Sequence, residues 1–152
     1  MIVGILKEIK SEEHRVSMTP AGVEVMVKSG HDVLVEKSAG AGSGFADDAY
    51  TRAGANIVDT PKQIYAAADM VMHVKEPLPP EYDLIREGQI LFTYLHLAAD
   101  EPQTRALIKS KAICIAYETI QKADGSLPLL TPMSEVAGRM AIQEGARFLE
   151  MT

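Results

Sequence analysis

Five short apolar runs, separated by stretches with the composition of helices, constrain this chain more than any other feature. The runs are residues 1–6, 32–35, 70–74, 89–94 and 112–116. They are rich in Val and Ile and read as strands buried on both faces. Between them, residues 20–29, 46–54, 61–67, 81–87 and 102–110 have helical spacing or good helix formers. A β-α-β-α rhythm predicts a parallel sheet with helices on both of its faces.

Local punctuation fixes several boundaries. Thr19-Pro20 and Thr60-Pro61 each put a hydroxyl at an N-cap and a proline at the first helical position. Thr60 with Gln63 fits a capping box, and Gly30 fits a helix stop. Asp124-Gly125 within residues 122–126 reads as a tight turn, which predicts a hairpin at the sheet edge between residues 112–121 and 127–130. Thr131-Pro132 opens a last helix, running from Met133 to about Glu150 with Val136, Met140, Ile142, Ala146 and Leu149 at roughly helical spacing. That helix reads either as a docking helix or as a connector cut short.

Composition removes whole classes of function. The chain has 152 residues, enough for one domain or one and a part. With 15 Lys and Arg against 21 Asp and Glu it is net acidic, which argues against nucleic acid or an anionic membrane as partner. One cysteine, Cys114, closes no intramolecular disulfide and builds no cysteine metal site; within its apolar run it reads as a buried, inert thiol. Four scattered histidines give no metal spacing. Nothing approaches a membrane span, and the charged residues Lys7 and Glu8 interrupt any secretory core at the start. The expected compartment is the cytoplasm.

Candidate chemistry collects where the strands end. Gly40-Ala41-Gly42-Ser43-Gly44 follows a strand, but its spacing is G-x-G-x-G and not the G-x-G-x-x-G of a dinucleotide loop, so it reads as a flexible connection. Arg15 follows the first strand and could grip a carboxylate with its fork, or be a solvated surface residue. Lys75 closes an apolar strand and is followed by Glu76; it is either a placed cation or a rim lysine paired with Glu76. His96 ends another apolar run, as a hydrogen-bonded core residue or as an acid/base group. His73 shares the face of Lys75, where packing is the favoured role. Glu118 follows the last strand, as a ligand-binding carboxylate or a turn residue. Arg15, Lys75, His96 and Glu118 thus fall on one rim of one sheet, where a small anion beside an acid/base group is the expected occupant.

These residues carry a resemblance. The segments 4–10, 13–16 and Thr19-Pro20, Val74-Lys75-Glu76-Pro77, 91–100, 116–119 and 130–138 resemble the alanine dehydrogenases, with the run Tyr94-Leu95-His96-Leu97-Ala98 closest to them. The related domain of proton-translocating nicotinamide nucleotide transhydrogenase is an alternative, and a stand-alone small-anion-binding module is another. The resemblance implies an α/β, Rossmann-like (flavodoxin-like) parallel sheet that ends in a long connector helix. It implies a substrate-binding catalytic domain over residues 1–132 and the start of the connector over 133–152. It implies that Arg15 and Lys75 hold the carboxylate and carbonyl of pyruvate or L-alanine, that His96 is the acid/base, that Glu118 supports them and that Met133 lines the pocket. NAD would be bound by a domain absent from this chain, so the chain alone is expected to be inactive. A homo-oligomer, hexameric in the family, is implied, with the apolar face of the last helix taking part.

Overall fold

The computed structural model describes residues 1–150. Contacts divide the chain into two units, Met1–Ala116 and a second that begins at Tyr117.

The first unit is a parallel sheet of six strands: β1 (Ile2–Ile5), β2 (Asp32–Glu36), β3 (Asn56–Val58), β4 (Met70–Met72), β5 (Ile90–Thr93) and β6 (Ile113–Ala116). Their spatial order is β3-β2-β1-β4-β5-β6. The chain winds outward from β1 to β3, returns across to β4, and winds outward again to β6. β1 and β4 therefore flank the switch point, where the loops after the two strands part to opposite sides and leave a crevice. The five strands expected from the sequence, taken alone, have the flavodoxin-like order; β3 adds a sixth at one edge. That strand went unread because Asn56-Ile57-Val58 offers two apolar residues in a run too short to show a period.

Successive strand residues point to opposite faces, and each face has its own core. Ile5, Val33 and Val35 pack with Val23, Tyr50 and Ala55 on one side. Leu6, Val71 and Leu91 pack with Ile64, Tyr65, Leu95 and Leu107 on the other. Helices α1 (Pro20–Lys28) and α2 (Asp47–Arg52) supply the first face. Helices α3 (Pro61–Ala67) and α4 (Glu101–Ser110) supply the second. The caps form as expected: Thr19 accepts from the Gly22 N–H, and Thr60 and Gln63 make the reciprocal box. Gly30 takes φ 84°, the left-handed turn that ends α1.

Three expectations are corrected. Residues 81–87 do not form an α-helix; Pro79–Leu84 is a 3-10 turn, and the backbone turns extended at Ile85 (ψ 128°), which ends it. The hairpin is absent among the described residues: β6 pairs only in parallel with β5, and residues 127–130 form no strand, 128–130 being turn, although Lys122 and Ser126 do close a tight turn by a 2.9 Å bond from N–H to carbonyl. β6 is not buried on both faces either. It alternates exposed and half-buried as an edge strand, and Cys114 on it is half-buried, its thiol pKa raised by that burial.

In the second unit a 3-10 turn, Tyr117–Thr119, leads to helix α5 (Thr131–Leu149). α5 exposes Val136, Met140, Ile142, Phe148 and Leu149. Among the described residues no helix is long and apolar enough to cross a membrane.

Candidate functional site

The rim at the carboxyl ends of β1, β4 and β5 carries Glu8, Arg15, Lys75, Glu76 and His96. β1 runs into the buried Leu6 and then releases the chain at Lys7 and Glu8, into the loop that bears Arg15. The Arg15 fork is engaged by Glu13: Nε donates to Oε1 at 2.8 Å and Nη2 to Oε2 at 2.6 Å. The Arg15 backbone N–H also donates to Glu13 Oε1, at 3.0 Å. The bonds from Arg15 overcome the cost of burial and hold the Glu13 carboxyl down to about 2, while Arg15 is pushed above its ordinary value. The Lys75 ammonium adds to the lowering of Glu13, and Tyr94 and Glu8 act on Arg15, so the loops after β1, β4 and β5 share one electrostatic neighbourhood. A cavity of about 250 Å³ opens beside Glu8, Glu13 and Arg15, with residues 38–42 as its other wall.

The glycine loop is that wall. Residues Ala41–Ser43 form a 3-10 turn pressed against the Arg15 loop. A Cβ at Gly42 would stand 2.7 Å from the His14 carbonyl oxygen, and Ser43 Oγ donates to the same oxygen at 3.0 Å. A pyrophosphate needs glycine backbone open to it at the start of a helix. Here that space is filled by His14, so the loop does not fit a dinucleotide and serves as a clasp on the neighbouring segment.

Lys75 is half-buried just past β4. Its backbone is held at both ends: Thr93 Oγ1 donates to its carbonyl at 2.7 Å, and its N–H points to Glu8 Oε2 at 3.4 Å. Glu76, the partner that sequence offered it, is engaged elsewhere. Glu76 pairs with Lys10, and its Oε2 stands 3.4 Å from His96 Nδ1. Burial works against the Glu76 carboxylate, but Lys10 chiefly holds its pKa below the usual value.

His96 sits past β5 at the head of the turn Leu97–Ala99, in a left-handed conformation with φ 48°. A non-glycine residue in that region is mildly strained, and such strain gathers at functional positions. Its ring stacks on Tyr94 with centroids 5.9 Å apart and is 48% exposed. It is a solvent-facing imidazole backed by a carboxylate, not a core histidine.

His73 is a surprise of another kind. It is no mere packing residue: its ring is 1% exposed, with Glu8 Oε1 3.3 Å from Nδ1 and Glu81 Oε1 3.1 Å from Nε2. The structure thus brings Arg15, Lys75 and His96 to one rim of the first unit. Glu118, in the turn after β6, and Met133, in α5, belong to the second unit.

Sequence reasoning missed Glu8, Glu13 and Tyr94, and offered Glu76 to Lys75 where the structure gives it to Lys10 and His96. Glu8 lies in the charged run Lys7-Glu8-Ile9-Lys10, which looks solvated, and its partners are 65 to 67 residues away. For Glu13 there was a signal, a carboxylate two residues before an arginine in the same loop.

A doubly wound α/β sheet, with Arg15 and Lys75 in the loops after the two strands that flank its switch point and His96 after the neighbouring β5, is the class of domain that the fold and this rim define. The comparisons narrow that class. The family described as "Alanine dehydrogenase/PNT, N-terminal domain" matches residues 4–137, and this chain belongs to it. The chain is 57% identical over 150 residues to the alanine dehydrogenase of Methanococcus maripaludis, covering 99% of itself and 40% of that protein. It is 58% identical to the alanine dehydrogenase of Bacillus subtilis over 151 residues, 99% of this chain and 39% of the relative. A solved L-alanine dehydrogenase superposes with a TM-score of 0.93 at 51% identity, over 99% of this chain and 41% of the other. A transhydrogenase from Sinorhizobium meliloti superposes at 0.73 and 29% identity, over 78% of this chain and 35% of that one. The chain therefore spans about two-fifths of the length of its curated relatives.

Proposed function

We propose that this chain is the substrate-binding part of an NAD-dependent L-alanine dehydrogenase, which interconverts L-alanine, NAD and water with pyruvate, ammonium and NADH. The observation that carries this is the convergence of Arg15, Lys75 and His96 on the rim flanking the switch point, in a chain whose relatives bear that name. In this reading residues 1–132 form the substrate domain and the stretch 133–152, of which 151 and 152 lie outside the described residues, is the start of a connector toward the domain that binds NAD, which supplies the hydride acceptor. A cytoplasmic homo-oligomer is part of the same reading.

Each residue has a physical task. Arg15 meets the substrate carboxylate as a fork, already aimed by Glu13. Lys75 places a positive charge beside the carbonyl oxygen or amine, where charge changes as the central carbon passes between tetrahedral and planar. His96, exposed on one side and backed by Glu76 on the other, takes and returns the proton there.

The test is alanine-dependent reduction of NAD by the full-length enzyme that contains these residues, as such and with Lys75→Ala or His96→Ala. Each substitution should lower kcat/KM at least a hundredfold. Undiminished alanine oxidation in both variants would overturn the assignment. Hydride transfer between two nucleotides without any alanine requirement would favour the transhydrogenase reading.

A further inference from the structure

Outside the rim itself, the largest commitment of buried charge in this fold surrounds His73. Its imidazole is 1% exposed, the Glu8 side chain 4% and the Glu81 side chain 6%. Three elements bring these groups together: the segment after β1, the end of β4 and the 3-10 turn Pro79–Leu84. Helix α3 adds Tyr65, whose hydroxyl lies 3.1 Å from His73 Nε2 and donates to Glu81 Oε1 at 3.2 Å. From β2, Glu36 also feels the ring's charge, while its own carboxylate accepts from the Lys7 N–H at 2.9 Å.

The hydrogen-bond inventory points to the protonation state. A neutral imidazole has one N–H and one lone pair. Here both ring nitrogens face carboxylate oxygens, and the Tyr65 hydroxyl, already donating to Glu81, offers only an acceptor to Nε2. Two carboxylates, one at each nitrogen, favour a proton on both. Burial alone would push the ring's pKa down; the bonds to Glu8 and Glu81 outweigh it and hold the pKa up to about 9.

The other bonds of Glu8 show what the cation serves: the oxygen that faces His73, Oε1, also takes a backbone N–H. Glu8 Oε1 accepts from the Val74 N–H at 2.6 Å, and Oε2 from the Lys75 N–H at 3.4 Å. One carboxylate thus ties the end of β1 to the end of β4 across the switch point, and His73 is what keeps it there.

We propose that His73 is a positioning residue of the crevice: as a buried imidazolium it fixes Glu8, and Glu8 sets the backbone from which Lys75 reaches the substrate. The effect on binding rests on the reading of Lys75 given above; the effect on the backbone does not.

Nuclear magnetic resonance on the chain tests both parts. The His73 ring should show two protonated nitrogens at pH 7. The protection factors of the Val74 and Lys75 amides, corrected for intrinsic exchange, should fall at least tenfold as pH rises through 9. They should fall by a similar factor in His73→Gln and Glu8→Gln at pH 7, and the pyruvate-induced shift of the Lys75 amide should then need at least tenfold more pyruvate. The pH titration uses the unaltered chain, so it decides the matter even if a variant fails to fold. A neutral ring at pH 7, or amide protection indifferent both to pH and to His73→Gln, overturns the proposal. Protection that responds as expected while pyruvate leaves Lys75 unmoved upholds the positioning of the backbone and refutes the substrate reading instead.

Discussion

Replacing Gly42 by alanine asks whether the glycine loop is a clasp. The added Cβ would stand 2.7 Å from the His14 carbonyl oxygen and 3.1 Å from His14 Cα, whereas ordinary contact begins at 3.4 Å, a shortfall of about 0.7 Å at the closest point. The neighbour is backbone, so no side chain can swing away. Overpacking of this kind costs roughly 1–3 kcal/mol. The loss of chain entropy in the unfolded state returns about 0.4–1 kcal/mol. A net loss of roughly 1–2 kcal/mol follows, which for a chain of 152 residues lowers Tm by about 2–8 °C. The functional consequence is larger. His14 precedes Arg15, so relieving the clash moves the guanidinium's anchor by several tenths of an ångström. A misplacement of about 1 Å at such a site can cost on the order of a hundredfold, so pyruvate binding should weaken at least tenfold. Gly138→Ala is the control. Nothing lies within 4 Å of the Cβ it would add to α5, so it should firm that helix by about 0.5–1 kcal/mol and leave pyruvate alone. Thermal melts and amide shifts of Arg15 with pyruvate read both variants. A Gly42→Ala protein as stable as its parent, with Arg15 shifts unchanged, would show that the loop does not hold the segment.

Two further outcomes concern charge. The folded chain raises His73 from 6.5 to about 9, so its contribution to stability is complete below pH 6.5 and is lost as pH rises toward 9; the change amounts to roughly 3 kcal/mol. Urea midpoints measured between pH 6 and 9.5 should fall accordingly, and a flat profile that stays flat in His73→Gln would refute the pairing. Glu13 has the opposite sign: lowered from 4.5 to about 2, it contributes above pH 4.5 and loses that contribution as pH falls toward 2. Arg15 is 41% exposed on its side of the pair, so solvent screening reduces the effect to about 1 kcal/mol. Glu13→Gln should remove that acid-limb loss, seen as a shallower fall of Tm between pH 4.5 and 2.5.

What could be read ahead of the structure, and what could not, follows from the range of the interactions. Strands β1, β2, β4 and β5 announce themselves because a parallel strand packed in the sheet interior is a local apolar run, and β6 is legible because it stays apolar even as an exposed edge strand. The caps at Thr19 and Thr60 are legible for the same reason, since each hydroxyl and its N–H partner lie three residues apart. Arg15, Lys75 and His96 were legible as candidates because topology sends the ends of parallel strands to one rim. The side chains that hold the rim in place were not. Glu8 reads as one more charge in Lys7-Glu8-Ile9-Lys10, and only the fold, by bringing β4 beside β1, turns it inward to the Val74 N–H. Glu76 looked like the partner of Lys75 because it is its neighbour in sequence; in a chain leaving a strand, adjacent side chains diverge, and Glu76 reaches Lys10 and His96 instead. Burial of charge is a long-range decision, made by whichever elements the topology lays side by side. The sequence therefore shows where chemistry gathers sooner than it shows what aims it.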